Sequence, residues 1–280
     1  MFTTQEVASY YNTTQAHYEK WWRLKNSLSL HYGIWDETVN SFSESLVNTN
    51  RVMSDLIGIS SEDKVLDAGC GVGGAAIYLA TTKNTEVVGI TLSEKQLTLA
   101  KSNAIDKGLT DKVTFQMMDY TQTPFEAESF DVVWACESVS SAIDKTQFIK
   151  EAFRVLKKGG KLILSDFFVR KDNQIDKNDW LRKWGETWGI SQFVSSESFI
   201  NNLTSQGFNN IKDHNYTDKI EKSAKRMYHA ALLGALPSEL YNLFHPNVSN
   251  FAKTHYKCGY YQYKALKAGL WDYKIITAFK

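Results

Sequence analysis

The sequence predicts an α/β chain: a doubly wound, mostly parallel sheet with helices on both faces. Three observations carry that prediction. From about residue 51 to residue 168, short apolar runs alternate with amphipathic stretches, the pattern of strands joined by crossover helices. The first run ends in a glycine cluster that precedes a helix, Gly69-Cys70-Gly71-Val72-Gly73-Gly74, as ligand-binding strand–helix turns do. The chain has 280 residues, 43% of them hydrophobic, enough to bury a sizeable core.

The elements follow in order. Residues 1–50 read as helical and rich in Tyr and Trp, interrupted by LHYGIWD at 30–36. KVLDAGC (64–70) is the first strand, with a helix over 73–82. TEVVGIT (85–91) is the second, and Ser93 has the place of an N-cap for a helix running to about Lys107. VTFQMMD (113–119) and SFDVVWACES (129–138) are the third and fourth strands. DKTQFIKEAFRVLK (144–157) is an amphipathic helix, which Gly159 and Gly160 stop before a fifth strand, KLILSDFF (161–168). NDWLRKWGETWGI (178–190) reads as an inserted helix, and 196–206 as another. FNNIKDHNY (208–216) is a sixth strand, 218–269 is helical and aromatic-rich, and KIITAFK (274–280) is a final strand. No repeat, low-complexity tract or flexible linker separates domains. The expected organisation is an N-terminal helical lid over 1–50 and a cofactor-binding core over 51–168. Residues 169–280 then hold the last two strands of the core with helical cap insertions.

Composition excludes several classes. A formal net charge of +1 supplies no field for nucleic acid or an anionic membrane. No apolar stretch approaches the length of a membrane span, so no integral membrane segment is expected. The start, MFTTQEVASYYNTT, lacks the regions of a signal peptide. Cys70, Cys136 and Cys258 are odd in number and far apart, which suits neither a disulfide framework nor a zinc site. A cytoplasmic chain with no metal is the expectation. The oligomeric state is not legible.

In open α/β sheets, ligands sit at the carboxyl ends of the strands, near the switch in strand order. That places the useful residues at Asp67 to Gly71, Thr91, Asp119 and Glu137. Gly69, Gly71 and Gly74 satisfy the dinucleotide pattern G-x-G-x-x-G. A nicotinamide site, however, wants an acid about twenty residues further on, for the ribose hydroxyl. Here the second strand ends in Gly89-Ile90-Thr91-Leu92-Ser93, and Glu94 starts a helix. Asp67 is the opposite clue, since a carboxylate beside backbone donors repels a pyrophosphate. It can organise the loop, receive the ammonium end of an amino acid, or do both.

VLDAGCGVGG (65–74) resembles the first motif of class I S-adenosylmethionine-dependent methyltransferases. GITLSEKQ (89–96), FQMMDYTQTPFEAESFDVVWACES (115–138) and RVLKKGGKLILSDFF (154–168) resemble the motifs that follow, in order and spacing. The resemblance covers about residues 55–170. LHYGIWD, the Thr-Leu-Ser-x-x-Gln string at 91–96 and Cys-Glu-Ser at 136–138 are similar to the small-molecule tocopherol, sterol and sugar-O methyltransferases, and distantly to cyclopropane fatty acid synthases. The resemblance implies a Rossmann-like seven-stranded sheet, mostly parallel with a final antiparallel strand, and S-adenosyl-L-methionine as cofactor. It implies that Gly69 and Gly71 let backbone approach the methionine part, and that Thr91 and Gln96 replace the usual ribose-binding acid. Asp119 would accept from the adenine amino group with Tyr120 beside the ring, and His31 would reach the carboxylate end. The missing acid after the second strand departs from the commoner pattern of these enzymes.

Methyl transfer needs alignment of nucleophile, methyl and sulfur, and exclusion of water. A hydroxyl or protonated amine also needs a base; an alkene needs a carboxylate or aromatic faces beside the cation that forms. Glu137, at the end of the fourth strand, is the candidate on the acceptor side, against a capping role for the next helix. His31 is a second candidate base, or else a packing residue. Tyr11 or Tyr18 closes over the cofactor as a lid, or Tyr18, Trp21 and Trp22 form a core-facing stripe. Trp180, Trp184 and Trp188 recur at helical spacing, which reads as a buried face before an acceptor wall. Lys219 to Arg226 reads as a solvated helix face before a site for a diphosphate. His17, His214, His229, His245 and His255 match no motif and read as surface or packing residues. The expected reaction is methyl transfer to a small, partly apolar acceptor, at carbon or oxygen before nitrogen. The alternatives are a nicotinamide-dependent oxidoreductase and a non-catalytic cofactor-binding protein.

Overall fold

A computed structural model describes residues 2–21 and 27–280, with the backbone alone for 15–21. Helix α1 (Thr4–Trp21) leads to a non-helical segment over 28–41, then α2 (Phe42–Ile57). Alternation follows: β1 (Lys64–Ala68), α3 (Gly74–Lys83), β2 (Glu86–Thr91), α4 (Glu94–Asp106), β3 (Val113–Met117), β4 (Phe130–Cys136), α5 (Lys145–Val155) and β5 (Leu156–Val169). Two helices, α6 (Trp180–Trp188) and α7 (Ser196–Gln206), precede β6 (Asn209–Asn215). The chain ends in α8 (Thr217–Phe244), α9 (Asn250–Thr254), α10 (Cys258–Lys267) and β7 (Trp271–Phe279).

Side-chain alternation along the strands sorts the core into two layers. Val65, Val87, Val132, Trp134 and Ile163 face one layer, which α2, α3 and α4 cover through Met53, Leu79 and Ala100. Leu66, Val88, Val133, Leu162 and Leu164 face the other, covered by α5 and α7 through Phe148, Ile149, Phe199 and Leu203. The seven strands lie in the order β3-β2-β1-β4-β5-β7-β6. β7 runs antiparallel to both neighbours and the remaining pairs are parallel. This is the Rossmann-like sheet expected from the sequence. The order reverses between β1 and β4, so a crevice opens where those two strands end.

Three boundaries differ from the sequence reading. α5 ends at Val155, not 157, and the glycine pair belongs to β5 rather than to a helix stop. Leu156 pairs with Phe130 but Lys161 pairs with Val132, so the intervening residues bulge. Gly159, at φ 74°, turns that bulge, and the backbone of Lys280 bonds both glycines. The region 218–269 is broken at 245–249, where Pro246 ends α8. β7 begins three residues before Lys274, because Trp271 to Tyr273 still pair with the end of β5.

Candidate active site

β1 delivers Asp67 and then turns. Gly69 and Gly71 hold φ of 94° and 53°, left-handed values that suit glycine. A Cβ on Gly69 would lie 2.4 Å from the Cβ of Ser138, so β4's end and the turn are in direct contact there. The N–H groups of Gly69 and Cys70 both donate to the carbonyl of Ile90, at 3.0 and 2.9 Å, tying the turn to β2. Asp67 is buried, and its Oδ2 has no hydrogen-bond partner. Burial outweighs the Ala76 N–H and pushes the carboxyl up to about 7.

The end of β2 supplies a polar wall. Thr91 donates from Oγ1 to Oε1 of Gln96 at 3.0 Å, and both are buried. Ser93 caps α4 by accepting from the N–H of Gln96, as the sequence predicts. Ser93 Oγ also donates to Asn12 Oδ1 at 2.7 Å, and Lys95 Nζ to the Asn12 carbonyl at 2.8 Å. These contacts latch α1 onto α4.

Beyond β3, Asp119 and Tyr120 are half-buried. Oδ1 of Asp119 accepts from the N–H and hydroxyl of Thr121, at 2.8 and 2.6 Å. Asp119 faces a hollow of about 460 Å³ that adjoins the main cleft and shares Val7, Leu92, Tyr120 and Ser141 with it. The Tyr120 hydroxyl donates to the Ser138 carbonyl at 2.7 Å.

At the end of β4 the chain takes a left-handed residue that is not glycine. Glu137 holds φ of 50°, a strained value for a side chain of this size, with its N–H on the Ser165 carbonyl. Its Oε1 accepts from the Tyr32 N–H at 2.7 Å and from the Tyr273 hydroxyl at 2.8 Å. Burial pushes the carboxyl well above its usual range despite those two donors. His31 places Nδ1 2.9 Å from the Tyr32 carbonyl, and burial lowers its pKa to about 4, so it is neutral at pH 7. The Tyr11 hydroxyl lies 3.1 Å from Oγ of Ser141. Tyr18 and Trp21 have side chains outside the described residues, and Trp22 lies wholly outside them.

The cleft encloses about 980 Å³, open mouth included, and Asp67, Gly69, Gly71, Thr91, Gln96, Tyr11, His31, Tyr120 and Glu137 all line it. Asp119 alone of the described candidates sits next door. The tryptophan stripe divides: Trp184 is fully buried in the core, while Trp188 reaches the cleft with Phe167 and Ile190. The described lining contains no Lys or Arg. The basic stretch lies elsewhere: Lys222 sits over Trp35 and Arg226 over Phe42. The sequence reading missed Tyr32 as a backbone donor and Tyr273 as a hydroxyl donor. It also missed Asp166, buried under the cleft wall and accepting from the N–H of Ser140 at 2.7 Å. Lys145 lies beside that pair and donates to the Ser140 carbonyl.

Residues 66–164 match the family model described as a methyltransferase domain. The 27-O-demethylrifamycin SV methyltransferase of Amycolatopsis mediterranei is 37% identical over 141 residues, 50% of this chain and 52% of that protein. The chloroplastic tocopherol O-methyltransferase of Arabidopsis thaliana is 29% identical over 234 residues, 76% of this chain and 66% of that protein. The chain thus spans between about half and two thirds of the length of these curated relatives. Among solved structures, the [4+2]-cyclase SpnF superposes with a TM-score of 0.80 at 23% identity, over 100% of this chain and 97% of the other. A geranyl diphosphate methyltransferase, solved with GPP and sinefungin, gives 0.75 at 17% identity, over 99% and 98%. At these identities the likeness speaks for the fold. One neighbour is a cyclase, so the chemistry must be argued from the domain match and the site.

Proposed function

We propose that this chain transfers a methyl group from S-adenosyl-L-methionine to a small, partly apolar acceptor, at carbon or oxygen in preference to nitrogen. One observation carries the proposal. Two buried carboxyls, Asp67 and Glu137, converge on a cleft whose described lining has no Lys or Arg, inside a chain with a methyltransferase domain. Low-dielectric carboxyls favour a cation and oppose an anion. S-adenosylmethionine presents an ammonium and a sulfonium there, whereas a nicotinamide dinucleotide presents a pyrophosphate. The unpartnered Oδ2 of Asp67 is a ready acceptor for the ammonium. The same balance favours a neutral or cationic acceptor over a phosphorylated one.

When bound, the cofactor supplies an electrophilic methyl group on a sulfur that leaves as a neutral thioether. The residues of the chain bind, orient and exclude water. Gly69 and Gly71 let the backbone lie against the methionine part. Thr91 and Gln96 present a paired hydroxyl and amide to the ribose. Asp119, in the adjoining hollow, offers Oδ2 to the adenine amino group, with Tyr120 at its edge. Neutral His31 hydrogen-bonds at the carboxylate end. Glu137, held by Tyr32 and Tyr273, faces the acceptor as base or as counter-charge. Phe167, Trp188 and Ile190 form the apolar acceptor wall. α1 acts as a lid, with Tyr11 on its inner face and the Asn12–Ser93 contact as its latch; Tyr18 belongs to the same lid. Free cysteines suit a reducing compartment such as the cytoplasm. Among the described residues no helix is long and apolar enough to cross a membrane.

Calorimetry with S-adenosylhomocysteine, S-adenosylmethionine and NADH tests the reading. The two adenosyl ligands bind and NADH does not. Tighter binding of NADH would sink it. Binding without turnover over a broad panel of hydroxyl, alkene and amine acceptors would favour a non-catalytic role.

A further inference from the structure

The first half of α8 packs on the core through Ile220, Ala224, Met227 and Ala231, all buried. Its second half presents a different face. Leu232, Leu233, Leu236, Leu240, Leu243 and Phe244 are 48–77% exposed. At the helical angle per residue they fall in one stripe about 120° wide, the width of a face that normally meets a core. Among the described residues nothing covers it. The six side chains expose on the order of 700 Å², more than a typical monomer leaves in its largest apolar patch and close to one side of a standard interface.

The spacing identifies the occupant. Leu232 and Phe244, Leu233 and Leu243, and Leu236 and Leu240 are three pairs placed symmetrically about Ser238. The stripe therefore reads the same in both chain directions. Two copies laid antiparallel, with a twofold axis level with Ser238, set Leu236 of each against Leu240 of the other. Leu233 then meets Leu243, and Leu232 meets Phe244. That reciprocity defines an isologous contact. A bilayer or an unrelated protein imposes no such symmetry on the spacing. Charge agrees with the geometry. Glu239 is the only charged residue from Ala230 to Phe244, and Lys257 of the same chain already neutralises it at 2.9 Å. Association buries no unpaired charge.

We infer that this chain forms a twofold dimer through antiparallel pairing of the second half of α8. Sedimentation equilibrium of the full chain across the micromolar range reads the mass directly, and twice the chain mass is expected. Leu236→Glu with Leu240→Glu places four carboxylates in the seam and raises the dissociation constant at least about a hundredfold. Both side chains face solvent in the single chain, so the variant keeps the circular dichroism spectrum and melting temperature of the isolated protomer. Register is read by cysteine pairing: Leu236→Cys with Leu240→Cys links into covalent dimers under mild oxidation, and Leu236→Cys alone does not. A monomer at every concentration overturns the inference, as does a dimer untouched by the glutamate pair. A monomer that floats with phosphatidylcholine vesicles overturns it too, and assigns the stripe to a lipid surface.

Discussion

Asp67→Asn separates the stability of the fold from the binding of a cation. In the folded chain the carboxyl titrates at about 7, against 3.8 as its ordinary value. An acid whose folded value is raised binds its proton more tightly folded than unfolded. Stability is therefore lost as pH climbs from the unfolded value to the folded one, and the loss levels off above it. Between pH 5 and pH 8 the loss is on the order of 3 kcal/mol, at about 1.4 kcal/mol per unit over most of that interval. Asparagine does not titrate. Its buried amide leaves a roughly constant cost of about 1–3 kcal/mol for donors without partners. The variant is thus close to or below the parent in stability at pH 5 and gains on it steadily toward pH 8. For a chain of this size the swing corresponds to roughly 5–10 °C in melting temperature. Thermal or urea unfolding of both ligand-free proteins at the two pH values measures it, and other titrating groups cancel in the comparison. Affinity for S-adenosylhomocysteine moves the other way: the variant binds at least about tenfold more weakly at pH 8, having lost the charge that meets the ammonium. A stability difference independent of pH, or a variant that binds the ligand as well as the parent does, would refute the account of Asp67.

Glu137→Gln keeps an oxygen for the Tyr32 and Tyr273 donors and removes the charge. Turnover is expected to fall on the order of a hundredfold with cofactor affinity nearly unchanged, read by single-turnover kinetics beside titration. Normal turnover would leave Glu137 as a brace for the 30–36 segment. Asp119→Ala is expected to weaken cofactor binding by about 1–3 kcal/mol in calorimetry. An unchanged dissociation constant in the folded variant would remove Asp119 from the ligands and leave it with its Thr121 turn.

The strands, most of the helices and the glycine turn are legible in the sequence because each is written within a few neighbouring residues. Apolar alternation, the Ser93 cap and the need for positive φ at Gly69 and Gly71 are local properties. For the same reason the carboxyl ends of β1, β2 and β4 can be marked as the candidate site before any packing is known. The bulge at Gly159 looks like a helix stop in the sequence because its cause, pairing with Lys280, lies far along the chain. Only the tertiary structure decides what surrounds Glu137. Its donors lie 105 and 136 residues away, and they meet it because the 28–41 segment and β7 both close over the end of β4. Likewise Trp184 and Trp188 share a helix face, yet one is core and the other lines the cleft. Periodicity states which residues share a face. The order of strands in the sheet, a long-range property, states what that face meets.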